Sequence, residues 1–486
     1  VTRPFAAPHR DDARRHDPAA VFAAGLLNHH VSNTAYPLAH ERTWRPYRLA
    51  GDAAQRLAVH AWDDVDDLCL YLHVPFCETR CSFCEYTVTR RDEHVLASQH
   101  VDDLLAEIAM WGRALGRRRL HGFDIGGGTP AFLAHEDIAR LADAVRSTFD
   151  VLPGVIASIE TTPRIAAREP EKAHGWRRAG FERVSMGIQV IEPDLLKVLN
   201  REANGIEQHA RAVSNLRDAG FERFNVDLMY GFAGQSERSW EATLAHAIGL
   251  APEAITLYRM RYKLTRISHQ APSVTLDGVR PLQRLAKAML EAAGYQANPG
   301  KTTYSRIDGD PGTSSYLTRR VIDGMPYLGI GLGAQAFSPT TISYNDGSAG
   351  KNLAPHHRSI AAGRLPLQDL YDLPREHVIG KFCAVSFYFG EIDRAAFRAK
   401  FATDLEAAFP REIALLLERG LMEWTGRSLR LTTDGVACIN GVIALFFAPS
   451  VQQVLLERDP AAATDFDRHR HAAQRVAGEM AHAVDA

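Results

Sequence analysis

Three cysteines stand closer together than any others in the chain: Cys77, Cys81 and Cys84, spaced C-x3-C-x2-C. Thiolates are soft ligands, and a cluster of them in one loop suits zinc or an iron-sulfur centre. Three thiolates can hold three irons of a four-iron cubane and leave the fourth iron without a protein ligand, open to chelate a small molecule. A closed zinc site needs a fourth ligand. His73 could be recruited for it, although that residue alternates within a strand, where a histidine more often packs or caps a carbonyl. The other cysteines, Cys69, Cys383 and Cys438, sit in apolar contexts and read as small core residues.

The thiols need a scaffold. From Leu68 onward short apolar runs alternate with longer helical patterns, the sign of β-α units around a parallel sheet. Six strands are expected: 68–74, 122–125, 155–160, 183–189, 224–230 and 254–260. Between them HVDDLLAEIAMWGRAL and HEDIARLADAVRSTF repeat apolar residues at three and four, as helices covering a sheet do. The fold class is α/β, a partial six-fold β/α barrel. Its site should lie at the C-terminal strand ends, and the thiol loop directly follows the first strand.

Four segments follow. Residues 1–66, rich in Arg, His and Ala, read as an N-terminal extension packed on the barrel or partly mobile. Residues 67–350 hold the barrel and a Gly/Pro/Ser-rich pocket segment. Residues 351–456 mix helices with a hairpin, like a small winged-helix-like α+β domain, and 457–486 form a tail. The 486 residues carry a formal net charge of −2, with 46% hydrophobic and 23% charged residues. That balance offers no global attraction to nucleic acid or an anionic membrane. No apolar stretch approaches the ~20 residues that span a bilayer, and the charged opening lacks a secretory core. A cytoplasmic protein is expected.

Further residues follow the strands. Gly126, Gly127, Gly128 and Thr129 come after the second strand, where glycines let backbone approach a ligand. Glu160 ends the third, placed to pair with an ammonium or ribose hydroxyls. With C-x3-C-x2-C after the first strand, the chain resembles the radical S-adenosylmethionine (SAM) superfamily. The resemblance implies a 4Fe-4S cluster on Cys77, Cys81 and Cys84, and SAM bound at the open iron and cleaved by one electron to a 5'-deoxyadenosyl radical. More specifically, YLHVPFC, GGGTP, SIETTPR, RVSMGIQ, LNRE, NVDLMYGF, YLGIGLGAQAFS and LTTDG resemble the oxygen-independent coproporphyrinogen III oxidase subfamily, and NTAYP (33–37) echoes its N-terminal region. The resemblance puts Tyr71 and Phe83 beside the first SAM and Gly127, Gly128 and Thr129 between two SAM sites. It makes Glu160, Gln189, Arg201 and Asp227 further SAM contacts, and Tyr304, Arg306, Tyr327, Gln335 and Tyr344 candidate groups around the substrate. Taken singly, each could be an ordinary buried hydrogen bonder or a surface ion pair.

One departure matters. Tyr86 stands where the parent oxidase carries an additional cysteine, which turns the reading toward class C radical SAM methyltransferases and cyclopropanases of natural-product (antibiotic) biosynthesis. These use two SAM molecules and transfer a SAM-derived methylene to an sp2 carbon of an aromatic small molecule. Tyr86, Glu85 and Tyr304 are then candidate proton-transfer residues. Two alternatives stay open: oxidative decarboxylation of a propionate, and a heme chaperone or heme-degrading methyltransferase, for which His29-His30 and His356-His357 offer axial ligands. No second cysteine set offers an internal relay, so a flavodoxin or ferredoxin donor is implied. The GxGxGA run at Gly329–Ala334 lacks the spacing and the acid of a dinucleotide site.

Overall fold

The computed structural model describes residues 14–26, 36, 44–89, 91–262 and 265–457. The expected tail, His29-His30 and most of the NTAYP run lie outside them.

The barrel strands are β1 (Asp67–Val74), β2 (Arg119–Gly127), β3 (Ser158–Thr161), β4 (Arg183–Gln189), β5 (Arg223–Tyr230) and β6 (Ala254–Arg259). All six run parallel in that order. Each alternates with a period of two. Leu68, Leu70 and Leu72 of β1, Phe123 and Ile125 of β2, Val184 and Met186 of β4, and Phe224, Val226 and Leu228 of β5 join the core shared with the helices. The intervening Tyr71, Asp124, Glu160, Ser185, Asp227 and Thr256 face the lumen. Parallel strands packed on both faces usually read as continuous apolar runs. These strands keep polar residues on the inner face, so the barrel encloses a polar interior.

Helices α1 (Ala97–Leu115) and α2 (His135–Thr148) follow β1 and β2. Val101, Leu104, Ile108, Trp111 and Leu115 give α1 the expected buried stripe, which also includes His100, Asp103 and Glu107.

Beyond β6 the sheet continues in two directions. β7 (Thr303–Ser305) adds antiparallel to β6. On the other edge β8 (Tyr327–Gly331) lies parallel to β1, with β9 (Gln335–Phe337), β10 (Thr341–Asn345) and β11 (Leu367–Asp372) antiparallel beyond it. β8 is a seventh parallel strand where the sequence suggested six. Its YLGIG lacks apolar alternation because glycine is required for contact: a Cβ on Gly329 would lie 2.2 Å from the Gln335 carbonyl oxygen across the tight β8–β9 hairpin. The sheet thus runs across residue 350, and Arg48–Leu49 pairs with β11 at its far edge.

Helix α3 (Leu353–Ala361) packs on α1. Helix α4 (Arg375–Ser386) is enclosed on almost every side and packs near a three-stranded antiparallel sheet of Glu391–Asp393, Ser428–Leu431 and Met422–Trp424. This agrees with the helix-plus-hairpin reading of the C-terminal segment. The N-terminal helix Pro18–Leu26 rests on Ile439–Leu445 and Pro449–Leu456, so this part of the first segment packs on the C-terminal elements rather than on the barrel. Among the described residues no helix is long and apolar enough to cross a membrane.

The sheet-helix core should dominate stability. Phe123 is 1% exposed and packs on Phe181 with ring centroids 5.8 Å apart. Phe123→Ala is expected to lower unfolding free energy by about 3–5 kcal/mol, read by urea denaturation under anaerobic conditions.

Candidate active site

β1 ends at Val74, and Pro75 and Phe76 carry the chain over the barrel mouth to the thiols. Two backbone bonds pin this turn to the end of β2: Gly128 N–H donates to Val74 O (2.8 Å) and Thr129 N–H to Phe76 O (2.7 Å). A Cβ on Gly128 would lie 2.6 Å from Phe76 O and 3.0 Å from Cys77 Sγ. The glycine is therefore needed first to let the thiol loop settle on β2. Thr129 Oγ1 donates to Cys77 Sγ (3.4 Å), and an Arg201 guanidinium nitrogen donates to Cys81 Sγ (3.1 Å). Arg201 also reaches Gly187 O, which ties the sulfur to β4. Burial pushes the Cys77 thiol up to about 12 and raises that of Cys84. Thiolates here thus call for a compensating metal charge.

His73 does not join the thiols as a fourth ligand in this arrangement. Its Nε2 bonds Thr87 O (2.8 Å), the carbonyl-capping role, and burial lowers its basicity to about 4.

The lumen below the thiols gathers most of the sequence-predicted residues. Tyr71 stacks on Tyr316 (5.7 Å) and lies 3.4 Å from His73 Nδ1. Glu160 accepts from Gly127 N–H (3.2 Å). Water reaches Glu160 through the lumen while protein surrounds it, and burial, reinforced by Asp227, raises its carboxyl to about 8. Asp124 accepts from Ser158 N–H (3.1 Å) and Ser314 Oγ (2.5 Å), and burial carries it to about 7. Asp227 accepts from Ser185 Oγ (2.9 Å) and Asn225 Nδ2 (2.8 Å), and it too is raised by burial. Gln189 closes β4 with φ +69°, and its Oε1 is a buried acceptor without a partner. Phe83 packs beside Phe232 in a small apolar cluster with Met229 and Met260.

The substrate-side candidates divide. Glu85 pairs with Arg261 (2.7 Å), and Tyr86 next to it is 60% exposed. Tyr327, Gln335 and Tyr344 form a hydrogen-bonded chain on β8, β9 and β10. Tyr304 lies elsewhere. On β7 it follows Ile255 toward the helix-side core, so the structure does not bring it to Tyr86. Arg306 pairs with Glu253 (2.8 Å) at the N-terminal end of β6, away from the mouth. Their neighbour Thr303 faces inward, where its hydroxyl meets that of Thr256 (3.1 Å). A three-residue edge strand with no flanking pattern hides that face from sequence reading.

Other residues around the lumen were not singled out as site residues from the sequence. Arg183 opens β4 and donates to Ser158 Oγ (3.0 Å). Arg320 lies over the Tyr327 ring (4.3 Å) and donates to Tyr316 (3.2 Å), and Tyr258 is 41% exposed. Lys351 donates to the carbonyls of Glu85 (3.1 Å) and Tyr86 (2.8 Å). Of these only Arg183 lay within a quoted motif, RVSMGIQ.

Comparison with known proteins agrees with this geometry. The radical SAM superfamily model matches residues 71–247. The oxygen-independent coproporphyrinogen III oxidase of Bradyrhizobium diazoefficiens is 30% identical over 403 residues, covering 78% of this chain and 86% of that protein. The chain belongs to the HemN-like family of radical SAM proteins. Another member, the heme chaperone HemW of Bacillus subtilis, is 24% identical over 385 residues, covering 77% of this chain and 98% of its own. The solved structure of coproporphyrinogen III oxidase (HemN) from Escherichia coli, described as a radical SAM enzyme, shares the fold. It aligns with TM-score 0.70 and 22% identity, over 86% of this chain and 97% of that one.

Membership of the superfamily implies a 4Fe-4S cluster and SAM. The residues present fit both: three thiols on one loop, a glycine edge beside them, and the unpartnered Gln189 Oε1 and Arg201 Nε. We propose Glu160 as the carboxylate that pairs with SAM. A charge-assisted bond of this kind is worth about 1.5–3 kcal/mol, so Glu160→Gln should weaken SAM binding roughly 10–100-fold without loss of iron. Because the raised carboxyl must lose its proton to act, the ratio of variant to wild-type Kd should grow from pH 6 to pH 9, measured by equilibrium dialysis.

Proposed function

We propose that this radical SAM enzyme acts on a carboxylate-bearing, tetrapyrrole-type small molecule, with oxidative decarboxylation of a propionate side chain as its reaction. The observation that carries the reading is the half-exposed Arg261 guanidinium beside the thiol loop, which uses one nitrogen on Glu85 and keeps further donors for a carboxylate, in a chain whose relatives are named for tetrapyrrole chemistry. Guanidinium is the side chain suited to a carboxylate. Lys351 would hold the Glu85–Tyr86 backbone in place, while the C-terminal segment and α4 would help to exclude water.

In this reading Cys77, Cys81 and Cys84 hold the cluster, and Tyr71, Phe83, Gly127, Gly128, Thr129, Glu160, Gln189, Arg201 and Asp227 line the SAM side. SAM bound there would supply a 5'-deoxyadenosyl radical for hydrogen abstraction from the substrate. A propionate that has lost hydrogen from its β-carbon releases carbon dioxide and passes one electron to a one-electron acceptor, leaving a vinyl group. A flavodoxin or ferredoxin would deliver the initiating electron.

A second reading, methylene transfer from a second SAM to an sp2 carbon, is favoured by one observation. Tyr86, exposed in the lumen, occupies the position where the parent oxidase places a cysteine. The products separate the readings in anaerobic reactions of the dithionite-reduced protein with SAM, a one-electron acceptor and coproporphyrinogen III or an aromatic substrate, beside a titration with heme. Equal amounts of 5'-deoxyadenosine and carbon dioxide, with no S-adenosylhomocysteine, are the expected result. S-adenosylhomocysteine rising with deoxyadenosine would overturn it for methylene transfer, and stoichiometric heme binding without turnover would overturn it for a chaperone.

A further inference from the structure

The buried face of α1 carries three polar residues, His100, Asp103 and Glu107, on a stripe that otherwise packs apolar side chains. They meet His356 of α3 behind β1 and β8, on the far side of the sheet from the lumen. His100 is 1% exposed, His356 and Glu107 are fully buried and Asp103 is 8% exposed. Isolated polar groups at such depth are costly, and pairing ordinarily removes the cost. Glu107 is well paired: its carboxylate accepts from Gly331 N–H (3.0 Å), Asn345 Nδ2 (2.8 Å) and His356 Nε2 (3.1 Å). The two imidazoles are only half satisfied.

Each histidine uses Nε2 toward an acceptor, His356 toward Glu107 and His100 toward His73 O (3.5 Å). An acceptor partner requires the hydrogen on Nε2, so in the neutral ring Nδ1 presents a lone pair. Both Nδ1 atoms are buried and have no hydrogen-bond partner. One ligand atom from each of His100, Asp103 and His356 falls within 4.8 Å of the others. Metal-binding histidines typically donate their second ring nitrogen to a carboxylate or a backbone carbonyl, the arrangement both residues show here. Asp103 is oriented in turn by His357 Nδ1 (2.9 Å).

We propose that His100 Nδ1, His356 Nδ1 and the Asp103 carboxylate bind a divalent transition-metal ion of the zinc class, separate from the iron-sulfur centre. Two imidazoles and one carboxylate suit such an ion, with water completing a tetrahedron. Ligands about 2.0–2.1 Å from zinc lie about 3.4 Å apart, so these side chains, with ligand atoms now within 4.8 Å of one another, would close in on the ion as it binds. The dication also offsets the negative charge of Asp103 and Glu107. Its position gives it a structural task. His100 packs edge-on against Phe76 (5.6 Å), the residue before Cys77, and bonds the carbonyl of His73 at the end of β1. The ion would join α1 to α3 and brace the base of the thiol loop from behind. It also accounts for the His356-His357 pair, which the fold buries or ties to Asp103.

The test uses the full chain with its cluster loaded, stripped of loose metal by chelator and then titrated with zinc. One equivalent of tightly held zinc is expected beyond the iron. Its X-ray absorption fine structure should show nitrogen and oxygen neighbours at about 2.0–2.1 Å and imidazole outer shells, with thermal unfolding moved upward by zinc. His356→Gln should lower zinc retention at least tenfold while iron content stays the same. Asp103→Asn, at the least buried of the three proposed zinc ligands, serves the same purpose if the first variant does not fold. Failure to retain zinc, a sulfur shell near 2.3 Å from zinc on cysteines, or undiminished binding in a folded variant would overturn the proposal.

Discussion

The structure turns on one contact, that of the thiol loop with the glycine edge of β2. Gly128 admits Phe76 and Cys77 to a distance no side chain would permit, and two backbone bonds, at Val74 O and Phe76 O, lock the approach. Everything at the barrel mouth is referred to that junction. Thr129 reaches Cys77 because its own N–H is fixed on Phe76 O. Arg201 joins Cys81 to β4, so two of the three sulfurs are registered against neighbouring strands rather than left on a free loop. Preorganisation of this kind holds a metal centre more firmly than loop cysteines alone.

Below the junction the strands' alternation sets the electrostatics. Asp124, Glu160 and Asp227 come from inner-face positions of β2, β3 and β5, with Arg183 of the intervening β4 among them. Burial favours the neutral carboxyl in all three. A cationic ligand entering this lumen would draw protons off these groups, so the negative charge that meets it develops as it binds. Tyr86, Tyr258 and Arg261 present polar surface above them, near the thiols.

Much of this was legible in the sequence, for identifiable reasons. Strand alternation is a local signal, and β4 appears over the residues expected. Cysteine spacing and strand-end position pointed to the thiol loop, and the same rule pointed to Gly128, Glu160 and Gln189, whereas Asp227 lies inside β5 and was singled out only through the NVDLMYGF motif. What escaped depended on distant partners. β8 was hidden because contact with Gln335 replaces apolar residues by glycine, and Tyr304 misled because the inward face of a three-residue strand cannot be read locally. Lys351 and Arg320 reach the lumen from beyond the six-strand core, and the N-terminal helix packs on residues more than four hundred positions away.

The central claim is that Cys77, Cys81 and Cys84 form a three-thiolate set that leaves one iron of a cubane to a small molecule. Mössbauer spectroscopy of the ⁵⁷Fe-reconstituted protein, with and without SAM, tests it most directly. The account predicts four irons per chain, one of which changes its isomer shift on SAM addition while three do not, with SAM-responsive cluster lost in Cys81→Ala. A spectrum indifferent to saturating SAM, or a stable centre with a fourth protein ligand such as His73, would contradict it.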